Sequence, residues 1–402
     1  MSAVLDATLR RAVREADPVG LLRALVRSPS HSGLERQEEQ VARGLAAYLE
    51  ARGLEVSLRE VQPGRPNLIA RMGARGRSRS LLLCGHTDTV PPNAVMEIDP
   101  FAGEVRDGRL YGRGACDMKG ALAAMAAALA ALARHRPEIG GEVRLAAVID
   151  EEHGSLGAED LIRSGLSADG CVVGEPTENR VAIGHRGLEW LEAEFIGRAT
   201  HGGGPGEGVN AIAAAARFLR LVEEGLLPDL GRRSHPLLGP PTLNVGVIHG
   251  GDQPNTVPAR CTVQMDRRWV PGETVEQVFA DLEDLLTRVR AGTPGLTTAL
   301  KRVPGGMATM VHGPLETPRE HPLVEAGLAA REEVSGERAA PGAFPAWTDA
   351  ALLSREAGIP CVVMGPGHLK QAHSADEWVS VAQVEEAALL YTALALRFAT
   401  VP

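Results

Sequence analysis

VRLAAVIDEEHGS, residues 143–155, is the stretch that decides the fold. Its first seven residues are mostly apolar and too few for a stable helix, so 143–149 reads as a buried strand. Three acids, Asp150, Glu151 and Glu152, stand where that strand ends. The same arrangement recurs along the chain. The run 80–85 (SLLLCG) leads directly into His86 and, two residues on, Asp88; 170–173 is followed by Glu175; 360–364 is followed within ten residues by His373. A further apolar run, 67–71, carries no such group. Helical patterns at 119–135 and 348–357 fall between several of these runs, and strands alternating with helices indicate an α/β domain with a mainly parallel sheet flanked by helices. In such sheets ligand-binding groups gather at the carboxyl ends of strands. Four strands here end in side chains that bind metals.

Between these segments the rhythm changes. Residues 188–196, 242–248, 262–269 and 296–303 alternate as strands, while 208–224 and 274–290 read as helices. The order β-α-β-β-α-β is that of a ferredoxin-like unit. The expected organisation is therefore a catalytic domain in two pieces, 1–186 and 306–402, interrupted by an inserted α+β domain at 187–305. A capping-box pattern at Ser32–Glu35 predicts a helix through residue 49. The stretches 202–208 and 338–345 read as loops.

Composition narrows the function. A formal charge of −9, without a long basic run, argues against nucleic acid as a partner, which demands a basic face. Five scattered cysteines with no C-x-x-C pair fit reduced thiols rather than a disulfide framework. The N-terminal residues lack the apolar core of a secretory signal, and the alanine-rich run 121–133 is too short to span a bilayer. A soluble cytoplasmic protein with no membrane partner is expected.

The strand-end groups have a coherent chemistry. Two histidines with several carboxylates suit zinc or cobalt better than magnesium, and one bridging carboxylate can hold two ions. Two ions about 3.5–4 Å apart can acidify a shared water and polarise a carbonyl. One carboxylate must then stay free to carry the proton to the leaving group. Glu151 and Glu152, adjacent at a strand end, can divide these tasks, and Asp88 can orient the His86 imidazole through a hydrogen bond. Asp117, in the glycine-rich segment YGRGACDMKG (111–120), reads either as a further ligand or as a helix cap.

HTDTVP (86–91), GRGACDMKG (112–120), DEEHGS (150–155), GEPT (174–177) and QAHSADE (371–377) occur in an order that resembles the zinc metallohydrolases related to acetylornithine deacetylase, succinyl-diaminopimelate desuccinylase, aminoacylase and glutamate carboxypeptidase. The resemblance covers essentially the whole chain, the inserted domain included. It implies two divalent metal ions, zinc with cobalt as a possible substitute. His86, Asp117 and Glu175 would hold one, and Asp117, Glu152 and His373 the other, with Asp117 bridging. Glu151 would be the general base and acid, and Asp88 would orient His86. A cis peptide after Asp117 is implied as well.

In the inserted domain His201 would stabilise the developing oxyanion in the partner subunit's site, which implies a homodimer formed through that domain. Asn255 and Arg268 would clamp a substrate carboxylate, although Arg267 competes for that role. Thr348 and Gly365 would line the pocket. The expected reaction is hydrolysis of an N-acyl amino acid, a small-molecule substrate. The alternative is a carboxypeptidase or dipeptidase acting on a short peptide. A non-enzymatic binding protein on the same scaffold would have lost a ligand or the base, and none is missing.

Overall fold

The computed structural model describes residues 5–400 except 75, 77, 94–97, 136–138, 305–309 and 338. The expected boundary at 305/306 and the first residue of the 338–345 loop therefore lie outside the described residues. The chain divides into two compact units, one formed by Met1–Gly184, Leu315–Phe344 and Thr348–Pro402, the other by His185–Pro314 and Pro345–Trp347.

The first unit is built on a nine-stranded sheet. Its order is Glu55–Gln62, Arg65–Met72, Val143–Val148, Leu81–His86, Gly170–Val173, Cys361–Val363, Ala182–His185 and Leu315–Glu316, with Gly342–Ala343 also paired to Ala182–His185. The four central strands, Val143–Val148 through Cys361–Val363, run parallel. Each is buried at every position, which is why it appears in sequence as a mainly apolar run; the charge within Val143–Val148, Arg144, is itself buried and paired with Glu142 at 3.3 Å. The outer strand Glu55–Gln62 (EVSLREVQ) is polar and largely exposed, as suits an edge that must resist pairing with other chains.

Helix Gly120–His135 is buried on all sides from Gly120 to Leu132. Eight of those thirteen positions are alanine, the strongest helix former, and the absence of bulk lets neighbours pack closely on every face. Together with the turn before it, it forms Ala115–His135, the only described helical stretch long and apolar enough to cross a membrane, and that apolar window is wholly buried in the protein.

The segment 32–38 forms turns rather than the expected first helical turn, and the helix runs Glu39–Glu50. The physical reason lies in Glu38. Its carboxylate is fully buried against the Arg65 guanidinium, with Nε at 2.7 Å from Oε2. Arg36 adopts a left-handed conformation to deliver it.

The second unit carries a four-stranded antiparallel sheet in the order Thr242–Gly250, Arg260–Trp269, Gly187–Ile196, Thr297–Arg302. Helices Ala211–Leu221 and Val275–Ala291 bury one face against it. That is the ferredoxin-like arrangement. The first helix begins later than its apolar pattern suggests because Asn210 caps it, accepting the Ala213 N–H at 2.9 Å. After residue 221 the chain continues through a wider turn into a second helix, Leu227–Arg232.

Candidate metal centre

Seven of the residues singled out from sequence converge in the first unit. His86 ends its parallel strand and is 2% exposed. Its Nδ1 lies 3.0 Å from the backbone carbonyl of Asp88, an arrangement in which Nδ1–H donates and Nε2 faces the site. Nε2 sits 3.1 Å from Asp117 Oδ1 and 3.6 Å from Glu175 Oε1. On the other side, His373 Nε2 lies 3.4 Å from Asp117 Oδ2 and 3.1 Å from Glu152. The Asp117 carboxylate thus turns one oxygen toward each histidine. The peptide Asp117–Met118 is cis.

The Asp88 side chain does something the sequence did not indicate. Its Oδ1 is 3.5 Å from His86 Nδ1, farther than its own carbonyl. The two carboxylate oxygens also accept the backbone N–H groups of Glu151 (3.2 Å) and Glu152 (3.0 Å). Asp88 therefore fixes the turn that presents both glutamates, while its main chain sets the His86 tautomer.

Electrostatics show how much negative charge this pocket concentrates. Burial, reinforced by Glu175 and Asp349, pushes the Glu151 carboxyl well above the usual range. Burial and the neighbouring Asp117 do the same to Glu175 and raise Glu152. Burial would raise Asp117 too, but hydrogen bonding to His373 and His86 holds it below the usual range. Those contacts with Asp117 and Glu152 push His373 up to about 10. Burial disfavours charge on His86, yet Asp117 and Asp88 hold it well above the ordinary imidazole value.

The donor set fits divalent cations. Ligand atoms of His86, Glu151 and Glu175 lie within 4.8 Å of one another, and so do those of His86, Asp117 and Glu152. Glu175 Oε1 is buried without a hydrogen-bond partner, an orphan that a cation would satisfy.

The remaining residues singled out from sequence have these surroundings. Thr348 is fully buried and its Oγ1 caps helix Ala350–Glu356, 3.2 Å from Ala350 N. Gly365 is a place of close backbone approach: a Cβ there would lie 2.1 Å from the Gly174 carbonyl oxygen and 2.8 Å from that of Glu175. In the second unit, the exposed His201 accepts the Gly203 N–H through Nδ1, and Gly202 N–H donates to the Asn255 carbonyl, so these loops are joined. Arg267 is 1% exposed and committed to Glu273. Arg268 is the accessible member of the pair, aligned by a two-point contact with Asp266.

Three further residues of the first unit stand at or beside the site, two of them, Arg113 and Glu377, without an individual role in the sequence reading. Asp349 is buried near the site and pushed up to about 7 by burial. Arg113 and Glu377 form a fully buried ion pair beside Asp117. Arg113 and Glu377 lie within the quoted motifs 112–120 and 371–377, but nothing in one sequence shows that they pair.

Comparison with known proteins gives the family. The sequence profile of peptidase family M20/M25/M40 matches residues 82–397. An acetylornithine deacetylase from Edwardsiella ictaluri is 33% identical over 398 residues, covering 94% of this chain and 97% of the relative. Among solved structures, aminopeptidase PepT from Bacillus cereus superposes with a TM-score of 0.77 at 22% identity, covering 97% of this chain and 99% of that one. A dinuclear metal-binding M20 peptidase from Bacillus subtilis gives 0.72 at 16% identity, covering 97% and 98%. The chain belongs to peptidase family M20/M25/M40 and is a metal-dependent hydrolase of amide bonds.

Proposed function

We propose that this enzyme hydrolyses an N-acyl amino acid of the acetylornithine kind, releasing a carboxylic acid and a free amine. The observation that carries the reading is the Asp117 carboxylate, whose two oxygens face two different histidines. This supports Asp117 as a bridge between two divalent ions. His86 and Glu175 would complete one site, and Glu152 and His373 the other, with zinc the expected metal and cobalt a substitute. When bound, the ions supply Lewis acidity that acidifies a water and polarises the scissile carbonyl.

The chain's own groups divide the remaining work. Glu151, held in place through its backbone by Asp88, takes the proton of the attacking water and returns it to the leaving nitrogen. Arg268 and Asn255 bind the substrate carboxylate, a task for which the planar guanidinium is suited. His201 stabilises the developing oxyanion, Thr348 and Gly365 shape the pocket wall, and residues 187–305 form the substrate and dimerisation domain.

The strand Thr242–Gly250 supports a homodimer, because it is an edge strand exposed along nearly its whole length and bears Val245, Val247 and Ile248. The five cysteines are free and buried, in keeping with a cytoplasmic enzyme.

The deacetylase relatives favour an acylated amino acid over a peptide. The test is kcat/KM across acetylornithine, succinyl-diaminopimelate, acyl-glutamates and dipeptides with added zinc or cobalt. Acyl amino acids should be preferred by at least tenfold. Faster turnover of dipeptides overturns the substrate assignment, and activity that survives both a chelator and Glu151→Gln overturns the mechanism.

A further inference from the structure

Two chain segments far apart in sequence meet behind the metal centre. Strand Trp378–Ser380 pairs antiparallel with Arg109–Tyr111, which pairs in turn with Glu104–Arg106. The zipper extends past the small sheet at both ends: Val381 N–H donates to the Gly108 carbonyl and Gly112 N–H to the Glu377 carbonyl at 3.0 Å. Beyond that point side chains take over. The Glu377 carboxylate is 1% exposed and accepts four hydrogen bonds, from Arg113 Nη1 (2.6 Å) and from the backbone N–H groups of Gly114 (3.0 Å), Cys116 (2.9 Å) and Asp117 (3.1 Å). Arg113, equally buried, places its other terminal nitrogen 3.3 Å from the carbonyl of Ser374, the residue after His373.

We infer that Glu377 and Arg113 are positioning residues that set the register between Asp117 and His373, and so the spacing of the two metal sites. The inference rests on the proposed assignment of Asp117 and His373 as ligands. It is carried by geometry: one carboxylate fixes three consecutive-loop N–H groups, the last of them on Asp117 itself, and its ion-pair partner fixes the carbonyl next to His373. His373 needs such restraint, because it adopts a left-handed conformation (φ 61°) that a residue with a Cβ rarely takes. Its carbonyl is also held from the far side by Asn93 Nδ2 at 2.9 Å. A loop free to relax would not keep that conformation. An ion pair buried this completely stabilises little in itself, so its value lies in what it aligns.

The two arms of the pair act on different ligands, which gives the test its resolution. Glu377→Gln turns an amide nitrogen toward backbone donors and disturbs Asp117, the bridge, so both ions should bind at least tenfold more weakly. Arg113→Lys keeps a cation for Glu377 but cannot reach Ser374 as well, so only the ion held by His373 should loosen, again by tenfold or more.

Zinc affinities come from competition with a chromophoric chelator, and the cobalt-loaded protein reports each site through its visible absorption bands. Circular dichroism and thermal melting establish folding. Should Glu377→Gln fail to fold, Arg113→Lys still decides the question. Wild-type affinities and cobalt spectra in a folded Glu377→Gln, or in Arg113→Lys, overturn the inference. Asp117→Asn and His373→Ala serve as controls: if these also bind both ions normally, it is the ligand assignment that has failed. If the controls lose metal while both Glu377→Gln and Arg113→Lys do not, the positioning role alone is wrong.

Discussion

Replacing Asp88 should damage catalysis through Glu151 and Glu152 rather than through His86. The carboxylate is 1% exposed and takes the N–H groups of both glutamates at 3.2 and 3.0 Å. Asp88→Ala strands two partly buried donors, and since a fully buried one costs about 1–3 kcal/mol, a loss of about 1–4 kcal/mol is expected for the two. Water entering the space would bring the figure toward the lower end. Asp88→Asn preserves the shape and one acceptor but opposes the second donor with an amide, which costs about 1–3 kcal/mol. For a unit of this size each kcal/mol lowers Tm by about 2–4 °C.

The kinetic effect follows from displacement of the 151–152 backbone, since a shift of about 1 Å in a catalytic group can lower the rate about 10²-fold. Asp88→Asn should therefore reduce kcat about 10- to 100-fold with little change in KM. The assay is steady-state kinetics at saturating zinc, with thermal melts of the same samples. A variant that melts normally and regains full kcat on metal loading, with only its metal affinity reduced, would refute the reasoning. It would show that the carboxylate serves His86.

Gly365→Ala should be equally harmful from the opposite side of the site. A Cβ 2.1 Å from the Gly174 carbonyl must push that strand end, and Glu175 with it, by about 1 Å; kcat should fall about 10²-fold, and normal kinetics would show that the backbone yields elsewhere. His185, fully buried, has its pKa depressed from 6.5 to about 4 by burial. Between those values the unfolded chain binds a proton that the folded one does not, so stability is complete above about pH 6.5 and declines by about 3 kcal/mol as pH falls toward 4. His185→Gln should flatten that part of the urea-unfolding stability profile, and an unchanged slope would acquit the residue. Arg268→Ala should raise KM for carboxylate-bearing substrates about tenfold or more with kcat little altered, and an unchanged KM removes it from the clamp.

What the sequence disclosed, and what it withheld, has a physical explanation. The four parallel strands were legible because burial on both faces leaves few polar positions to interrupt them. Their ends were legible because acids and histidines beside such runs have few structural reasons to be there. The polar edge strand Glu55–Gln62 and the three-residue strands around Tyr111 and Trp378 left no periodic signal, being exposed in the first case and too short in the second. Helix Glu39–Glu50 was placed too early because a local capping pattern was outweighed by the distant partner Arg65. Asp88 was read only toward its neighbour His86, whereas its carboxylate also holds a turn 63 and 64 residues away. Contacts of this range are set by packing, and a single sequence does not encode them as a pattern.

The side chains missed in this way share one function. Asn67, fully buried, accepts the Ile149 N–H at 3.1 Å and donates to the Gly157 carbonyl at 2.9 Å, closing the turn that carries Glu151 and Glu152. Asp88 holds the two glutamates within that turn, and Glu377 holds the loop ending in Asp117. Each side chain bonds to backbone beside a proposed ligand, so each fixes a ligand's origin. This matters because Glu151, Glu152 and Glu175 repel one another in a buried pocket. On a compliant loop such carboxylates would swing outward to water, and the cost of assembling them would be charged against every cation bound. Anchored at the main chain, they cannot. That cost is met once, during folding, by hydrogen bonds remote from the chemistry, and the electrostatic tension that remains is relieved only by positive charge arriving at the site.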